Sequence, residues 1–403
     1  MFDVVVVGGG PVGACLATLL ARGAGGPGLK VALVEPRPPE PPAPAAPLEA
    51  RVVAISRASE HILTHSGAWP RICGPRLCAY ERMRVWHERA SATGSEVLLF
   101  DAADVGEPNL GYIAENRLVQ SALLEAFAAA GGHLERAGFV RLAIREDAVE
   151  VGTDGGTLTA RLVVGADGAQ SAVRAAAGLG SESSGYRQTA IVATVATARP
   201  HQSTAWQRFM VNGTLALLPL ADGRSSIVWS ADDELAARLL ALGEAEFAAE
   251  LDRASDLALG ATRLASERLS FPLRRLSAPR YVAARVALVG DAAHVVHPLA
   301  GQGVNLGLMD AAALAQLLLD GYARREDPGA LAVLRAYERW RKSEVALMDR
   351  AIEAFDRLLA HGTGPLARLA QRGLGLVNRS QELRRLFIYR ALGMAGELPR
   401  AAR

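Results

Sequence analysis

The first thirteen residues restrict what this chain can fold into more than any other stretch. Phe2 to Val7 is a short apolar, β-branched run of the kind buried in a parallel sheet. It feeds directly into Gly8-Gly9-Gly10-Pro11-Val12-Gly13, which contains Gly-x-Gly-x-x-Gly, and an Ala/Leu-rich helix follows to about Arg22. A second apolar strand, Lys30 to Val34, ends at Glu35, 22 residues beyond Gly13. Glycines so placed permit a tight turn, close approach of backbone to a pyrophosphate, and close packing of helix on strand. An acid at the end of the second strand can take both hydroxyls of a ribose. A glycine loop alone is weak evidence. Strand, loop, helix, strand and acid in that order predict a dinucleotide-binding unit.

A second stretch of the same character runs from Val286 to Ala311. An apolar run ends in Gly290-Asp291, a loop carries His294, His297 and Pro298, and Gly301-Gln302-Gly303 opens a helix rich in small residues. This describes a strand that delivers a carboxylate to a ligand, then a helix N-terminus aimed at the same ligand. The unpaired N–H groups and partial positive charge there suit an electron-rich or anionic group.

Between these ends the texture changes several times. Residues 36–50 contain seven prolines, cannot pair in a sheet, and are expected to form an extended, mobile loop. Arg51-Val52-Val53-Ala54-Ile55-Ser56 follows, with a helix from about Ala58. From Arg71 to Phe100 the pattern alternates, as half-buried antiparallel strands do. Asn116-Arg117 enters an amphipathic helix, and the run Leu158 to Val164 ends in Gly165-Ala166-Asp167-Gly168. From Ser181 to Arg275, short alternating runs predict one antiparallel sheet interrupted by helix between Asp232 and Asp256. Such a sheet, wedged between halves of a nucleotide-binding domain, suits a substrate platform. Beyond Asp310 the chain reads as helical.

Composition excludes several classes. The chain has 403 residues, comfortable for two domains sharing a ligand, and half of them are hydrophobic, enough for a large core. A net charge of +2 gives no electrostatic basis for binding nucleic acid. Cys15, Cys73 and Cys78 form neither a metal pattern nor an even disulfide framework, so no metal is expected and a reduced, cytoplasmic setting fits. No signal peptide and no spanning segment are expected. Segment 361–403 nevertheless carries eight arginines against Glu382 and Glu397, interleaved with apolar residues. That basic amphipathic tail could lie on the inner face of a membrane, bind a partner, or be a solvated face over ordinary packing.

Three motifs in fixed order carry a family resemblance: GlyGlyGlyProValGly from residue 8, GlyAlaAspGlyAlaGlnSerAlaValArg at 165–174, and GlyAspAlaAlaHis…HisPro…GlyGlnGly at 290–303. Together they resemble the FAD-dependent aromatic hydroxylases of the para-hydroxybenzoate hydroxylase type. Arg51-Val-Val-Ala-Ile-Ser, Gln207-Arg208-Phe209 with Leu215 to Leu220, and Tyr389 to Gly396 narrow the resemblance to the ubiquinone-biosynthesis hydroxylases. It covers nearly the whole chain. Asn212-Gly213-Thr214 stands where the family often has a Gly-Pro turn, and the proline-rich loop is longer than expected.

The resemblance implies an α/β fold: a Rossmann-like FAD-binding domain (GR2 type) with an inserted antiparallel-sheet substrate domain and a C-terminal helical tail. It implies a discontinuous FAD domain at 1–70, 98–180 and 276–340, a substrate domain built on a mixed antiparallel sheet at 71–97 and 181–275, and a C-terminal helical region at 341–403. By the same likeness Gly8, Gly10 and Gly13 cradle the FAD pyrophosphate, Pro11 and Val12 are further cofactor contacts, and Glu35 holds the adenosine ribose. Arg51 and Asn116 or Arg117 contact the cofactor, Asp167 and Gly168 serve both FAD and a transient NADPH or NADH, and Asp291 binds the ribityl chain. Pro298 sits beside the reactive edge of the ring, Gly301, Gln302 and Gly303 face its N1/O2 side, and Val304 and Asn305 are further cofactor contacts.

The activity so implied is hydroxylation of a phenolic, lipid-tailed ubiquinone precursor by NAD(P)H and O2 through a flavin C4a-hydroperoxide, with non-covalent FAD. His294 and His297 are candidates for a proton relay beside Pro298. A peripheral membrane position or a ubiquinone-biosynthesis complex is the implied setting. The alternatives are an FAD hydroxylase of a small soluble aromatic, a related flavin reductase or halogenase, or a flavin-bound scaffold subunit.

Overall fold

The computed structural model describes residues 1–23, 25–94, 96–297, 301–359 and 380–403. The run Phe2–Val7 is a strand whose Val4, Val5 and Val6 are fully buried. It pairs in parallel with Val31–Val34 on one side and with Gly156–Gly165 on the other. Across this first sheet the order is Val282–Ala283, Val286–Leu288, Gly156–Gly165, Phe2–Val7, Val31–Val34, His133–Glu135, with Val149–Thr153 and Phe139–Ile144 continuing antiparallel beside Gly156–Gly165. Its central strands read as continuous apolar runs because both of their faces are covered. Helix Pro11–Arg22 lies against the sheet, flanked by helices Asn116–Ala129 and Gln302–Ala323.

A second, nine-stranded sheet runs in the order His294–Val295, Leu269–Ser277, Glu182–Thr197, Ser225–Asp232, Gly213–Pro219, Thr204–Met210, Arg82–His87, Leu98–Asp101, and Thr262–Leu264 also pairs with Glu182–Thr197. Period-two alternation divides its side chains between two environments. Ile191, Leu215, Leu217, Ile227 and Trp229 pack with Leu239, Phe247 and Leu251 of the helices Asp233–Ala241 and Glu244–Ala254. The intervening Val192, Ala216 and Val228 line a cavity instead.

The sheet is mixed, antiparallel except at one place: Thr204–Met210 runs parallel to Arg82–His87. A tight hairpin would force antiparallel pairing, but these strands are over a hundred residues apart, and so long a connection allows either direction. The sheet also continues through Leu98–Asp101, past the expected limit at residue 97.

Val52–Ser56, Gly111–Glu115 and Cys78–Tyr80 form a small third sheet. The proline-rich segment beside it has no regular structure, yet it is held rather than free. Arg76 donates to the carbonyls of Ala43, Ala46 and Pro47 while paired with the buried Glu115.

Helices Leu331–Leu359 and Gln381–Ala391 form the C-terminal region. Ile388 and Leu392 are buried against Ala102 and Leu110. Several of the tail arginines make internal contacts: Arg384 with Asp104, Arg385 with the Asp104 carbonyl, Arg400 with Asp320 and Arg403 with the Leu398 carbonyl. Arg368, Arg372 and Arg379 lie outside the described residues. Among the described residues no helix is long and apolar enough to cross a membrane.

Candidate functional site

The glycine loop is built by close approach. Gly8 has φ +104, and a Cβ there would fall 2.4 Å from the Ala166 carbonyl oxygen. A Cβ on Gly13 would lie 2.0 Å from the Gly8 oxygen, so only glycine lets helix Pro11–Arg22 start where it does. Gly10 differs: a Cβ there would meet nothing within 4 Å, so it borders open space at the helix N-terminus, with Pro11 at the first helical position. Glu35 Oε2 accepts from Gly9 N at 2.9 Å, and Gln120 Nε2 donates to Gly9 O at 2.9 Å.

Val12 links this loop to the second motif. Its Cγ1 would be 3.2 Å from a Cβ on Gly290, the residue before Asp291. The turn that carries Asp291 is held from two sides. Arg174, itself buried, donates to Ala292 O at 2.7 Å and to Ala169 O at 2.7 Å. From the other side Gly290 N donates to Asp310 Oδ2 at 3.0 Å. Asp167 Oδ2 accepts from Val173 N, while its Oδ1 is buried with no partner among the described residues.

Gly301 caps the helix Gln302–Ala323 with φ +63 and would place a Cβ 3.1 Å from Ala54 Cβ. The N–H groups of Gln302, Gly303 and Val304 open this helix, and a Cβ on Gly303 would meet nothing within 4 Å. The Asn305 side chain is occupied within the protein: Oδ1 accepts from Ser56 N and Ser59 Oγ, and Nδ2 donates to Ala54 O. Any contribution of Asn305 to a ligand is therefore indirect, through the strand and helix it ties together.

Arg51, Asp291, His294, Gly301, Gly303 and Val304 share one cavity of about 370 Å³ with the inner face of the second sheet. Its walls are mainly apolar, with Gln207 and Thr214 among the polar exceptions. Asp291 keeps accessible surface, but that surface lies inside this concavity. Desolvation there pushes its carboxyl above the usual carboxylate range, against the opposing pull of His294 and Arg51.

Other expected residues stand elsewhere. Arg117 is turned to the proline-rich segment, donating to Glu40 O and pairing with Glu49, and Asn116 N donates to Arg51 O. His297 Nε2 meets Gln188 Oε1 at 3.0 Å, its ring edge-on to Tyr186, and it does not line the cavity. Pro298 lies outside the described residues.

Sequence reasoning missed a buried cluster behind the cavity. Asp310 Oδ2 meets His294 Nε2 at 2.5 Å and its Oδ1 accepts from Arg341 Nε at 2.7 Å. Burial alone would raise the Asp310 carboxyl, but the charges and hydrogen bonds of His294 and Arg341 outweigh it and hold it below its ordinary value. Only the polar identity of Asp310 on an otherwise apolar helix face hinted at this.

Open backbone at Gly10 and Gly303, two helix N-termini, an orphaned Asp167 oxygen and a carboxylate beside an apolar cavity fit an extended dinucleotide carrying a flat ring. Fold and site together define a flavin-dependent oxidoreductase. Comparison with known proteins agrees. The family model described as an FAD binding domain matches residues 128–350. The ubiquinone hydroxylase UbiL of Rhodospirillum rubrum is 39% identical over 407 residues, spanning 100% of this chain and 92% of that protein. The 3-demethoxyubiquinol 3-hydroxylase of Escherichia coli (strain K12) is 34% identical over 396 residues, covering 97% and 98% respectively. Among solved structures, p-nitrophenol 4-monooxygenase PnpA from Pseudomonas putida DLL-E4 superposes with a TM-score of 0.76 at 20% identity, covering 98% of this chain and 99% of that one, a likeness of fold. The chain belongs to this FAD-binding family, among its aromatic-ring monooxygenases. Its cofactor is FAD and its electron donor NAD(P)H.

Proposed function

We propose that this protein hydroxylates the ring of a phenolic, prenyl-tailed precursor of ubiquinone, using NAD(P)H and O2. Full-length similarity to hydroxylases named for ubiquinone and demethoxyubiquinol supports that substrate class. The observation that carries it is the apolar cavity shared by Asp291, Gly301 and Gly303, with Phe271 both lining it and 43% exposed. A ring held inside can extend an apolar tail past Phe271 without burying a polar group.

In this reading Gly8, Gly10 and Gly13 receive the pyrophosphate and Glu35 the adenosine ribose, with Asp291 on the ribityl chain. Arg51 adds a cation from across the cavity. The amides of Gln302, Gly303 and Val304 offer preorganised positive charge to the ring's electron-rich side. FAD, when bound, supplies oxygen activation after reduction by the nicotinamide. The chain's own contribution is to hold that ring against the cavity, exclude water with Val192, Ala216, Val228 and Leu218, and admit the phenol. A lipid-tailed phenol would be met at a membrane surface or on a partner that carries lipids.

The test is incubation of FAD-loaded protein with NADH or NADPH, O2, and phenols with and without prenyl tails, with products followed by mass spectrometry. Gain of one oxygen on the prenylated phenols is expected. Turnover confined to untailed phenols would overturn the substrate assignment and favour the small soluble aromatic.

A further inference from the structure

The buried cluster of His294, Asp310 and Arg341 has a chemical consequence at the cavity. Asp310 is fully buried, and Arg341 and His294 are nearly so. The carboxylate receives three hydrogens: from Gly290 N–H and the His294 ring at Oδ2, and from the Arg341 guanidinium at Oδ1. Gly290 N–H and Arg341 can only donate, and both favour an ionised Asp310. The proton shared with His294 therefore resides on Nε2, and a neutral ring must present Nδ1 as a bare acceptor. Nδ1 has no partner among the described residues and is not among the buried orphaned atoms, while His294 itself lines the cavity.

We propose that His294 Nδ1 is the base that takes the phenolic proton of the substrate, and that Asp310, clamped by Arg341, is the positioning residue that fixes its tautomer and orientation. This rests on the hydroxylase reading above. In the step, the phenol O–H bond breaks, the proton passes to Nδ1, and the electron pair stays on oxygen as a phenolate. That raises electron density on the ring carbons that are to be attacked. Imidazolium formation is balanced by Asp310 behind the ring and by Asp291 beside it, while the Arg341 charge is already committed to Asp310. The charged and titratable groups facing the ring are Asp310 and Arg341 from two helices, Asp291 and Arg51 at the cavity, and Tyr281, whose ring centroid is 5.8 Å away. Tyr281 stays neutral, because burial pushes its hydroxyl far up. The same carboxylate also receives the amide of Gly290, so Asp310 sets the base and the Asp291 turn together.

The experiment uses full-length, FAD-loaded protein and the prenylated phenol turned over best, with initial hydroxylation rates from pH 6 to 10. His294→Gln and Asp310→Asn are compared, and flavin absorbance reports FAD content. For His294→Gln, kcat at pH 7 should fall by about 10²-fold, the scale of general-base catalysis, with FAD retained and KM little changed. The loss should shrink as pH approaches the phenol's own pKa near ~10, where the base is no longer needed. Asp310→Asn should show the same pH signature. If it fails to fold, His294→Gln, which leaves the Asp310–Arg341 pair intact, decides alone. A wild-type rate in His294→Gln, or a loss equal at every pH, overturns the proposal while leaving the hydroxylase reading in place. If the unaltered protein hydroxylates none of the phenols, the functional reading falls and this proposal with it.

Discussion

Val12 and Gly307 are in contact across two helices: a Cβ on Gly307 would come within 2.5 Å of Val12 Cγ2. Helix Pro11–Arg22 and helix Gln302–Ala323 thus touch near their N-termini. A larger side chain at 307 must push the helices apart or force Val12 off its rotamer. Gly307→Val is expected to cost about 1–3 kcal/mol of stability, read from urea unfolding of the cofactor-free protein. It should also weaken FAD binding, because the two termini would no longer converge.

Asp291 is held ionised at a cost to stability. Its carboxyl titrates above the ordinary range in the folded state, so the ionised form is the disfavoured one. The cost begins as pH rises past the unfolded value, about 3.9, and is complete above the folded value. Asp291→Asn should therefore make the FAD-free protein more heat-stable at pH 7 and flatten that pH dependence. FAD affinity should fall by about tenfold or more, as expected for losing a charged hydrogen-bond partner. Thermal scans of the stripped protein and fluorescence titration with FAD check the two halves separately.

Asp310 runs the opposite way. Its carboxyl is held low, so its contribution is fully present above the unfolded value and is lost as pH falls through the folded one. Asp310→Ala should leave Arg341 buried and unpaired, destabilising by about 3–5 kcal/mol at neutral pH. Urea unfolding at stepped pH should show wild type and variant converging in acid.

Much of the backbone geometry at these motifs was legible in the residues because it is local. Gly8 to Gly13, Glu35 and Gly290-Asp291 each lie within one strand–turn–helix step, where glycine and β-branched spacing report directly on backbone geometry. The clamp on Asp291 was not legible. Arg174 and Asp310 reach the turn from separate elements, Arg341 backs Asp310 from a third, and each reads individually as an ordinary charge. The resemblance places Asn305 at the cofactor, but folding brings its side chain against Ser56, Ser59 and Ala54, which occupy its amide. Likewise the prolines of 36–50 suggested a mobile loop, and the Arg76 that holds it lies some thirty residues on.

The basic tail needs a more selective experiment than removal. Truncation would strip Ile388 and Leu392 from their buried contacts and the Glu397 carbonyl from Trp340, damaging the fold along with any surface attachment. Replacing Arg368, Arg372 and Arg379 with glutamine should instead reduce low-salt co-sedimentation with anionic vesicles, by about 1 kcal/mol per charge if the segment lies on the surface. Unchanged sedimentation of the triple variant with FAD content intact, or no sedimentation of the unaltered protein, would leave these arginines no part in attachment.

The first sheet also sets a timetable for synthesis. Phe2–Val7 is made well before its inner neighbour Gly156–Gly165, which follows about 150 residues later, and Val286–Leu288 comes later still. At ribosomal speeds of about 5–20 residues per second, roughly 15–60 s separate the glycine loop from the strand that delivers Asp291. Until then the nascent chain holds an unfinished parallel sheet with an open edge, the state most exposed to wrong pairing. Asp291 follows that last strand by three residues, so both ends of the cofactor site exist only once the sheet is closed. Flavin bound by both ends of the site would therefore mark chains whose first sheet is complete.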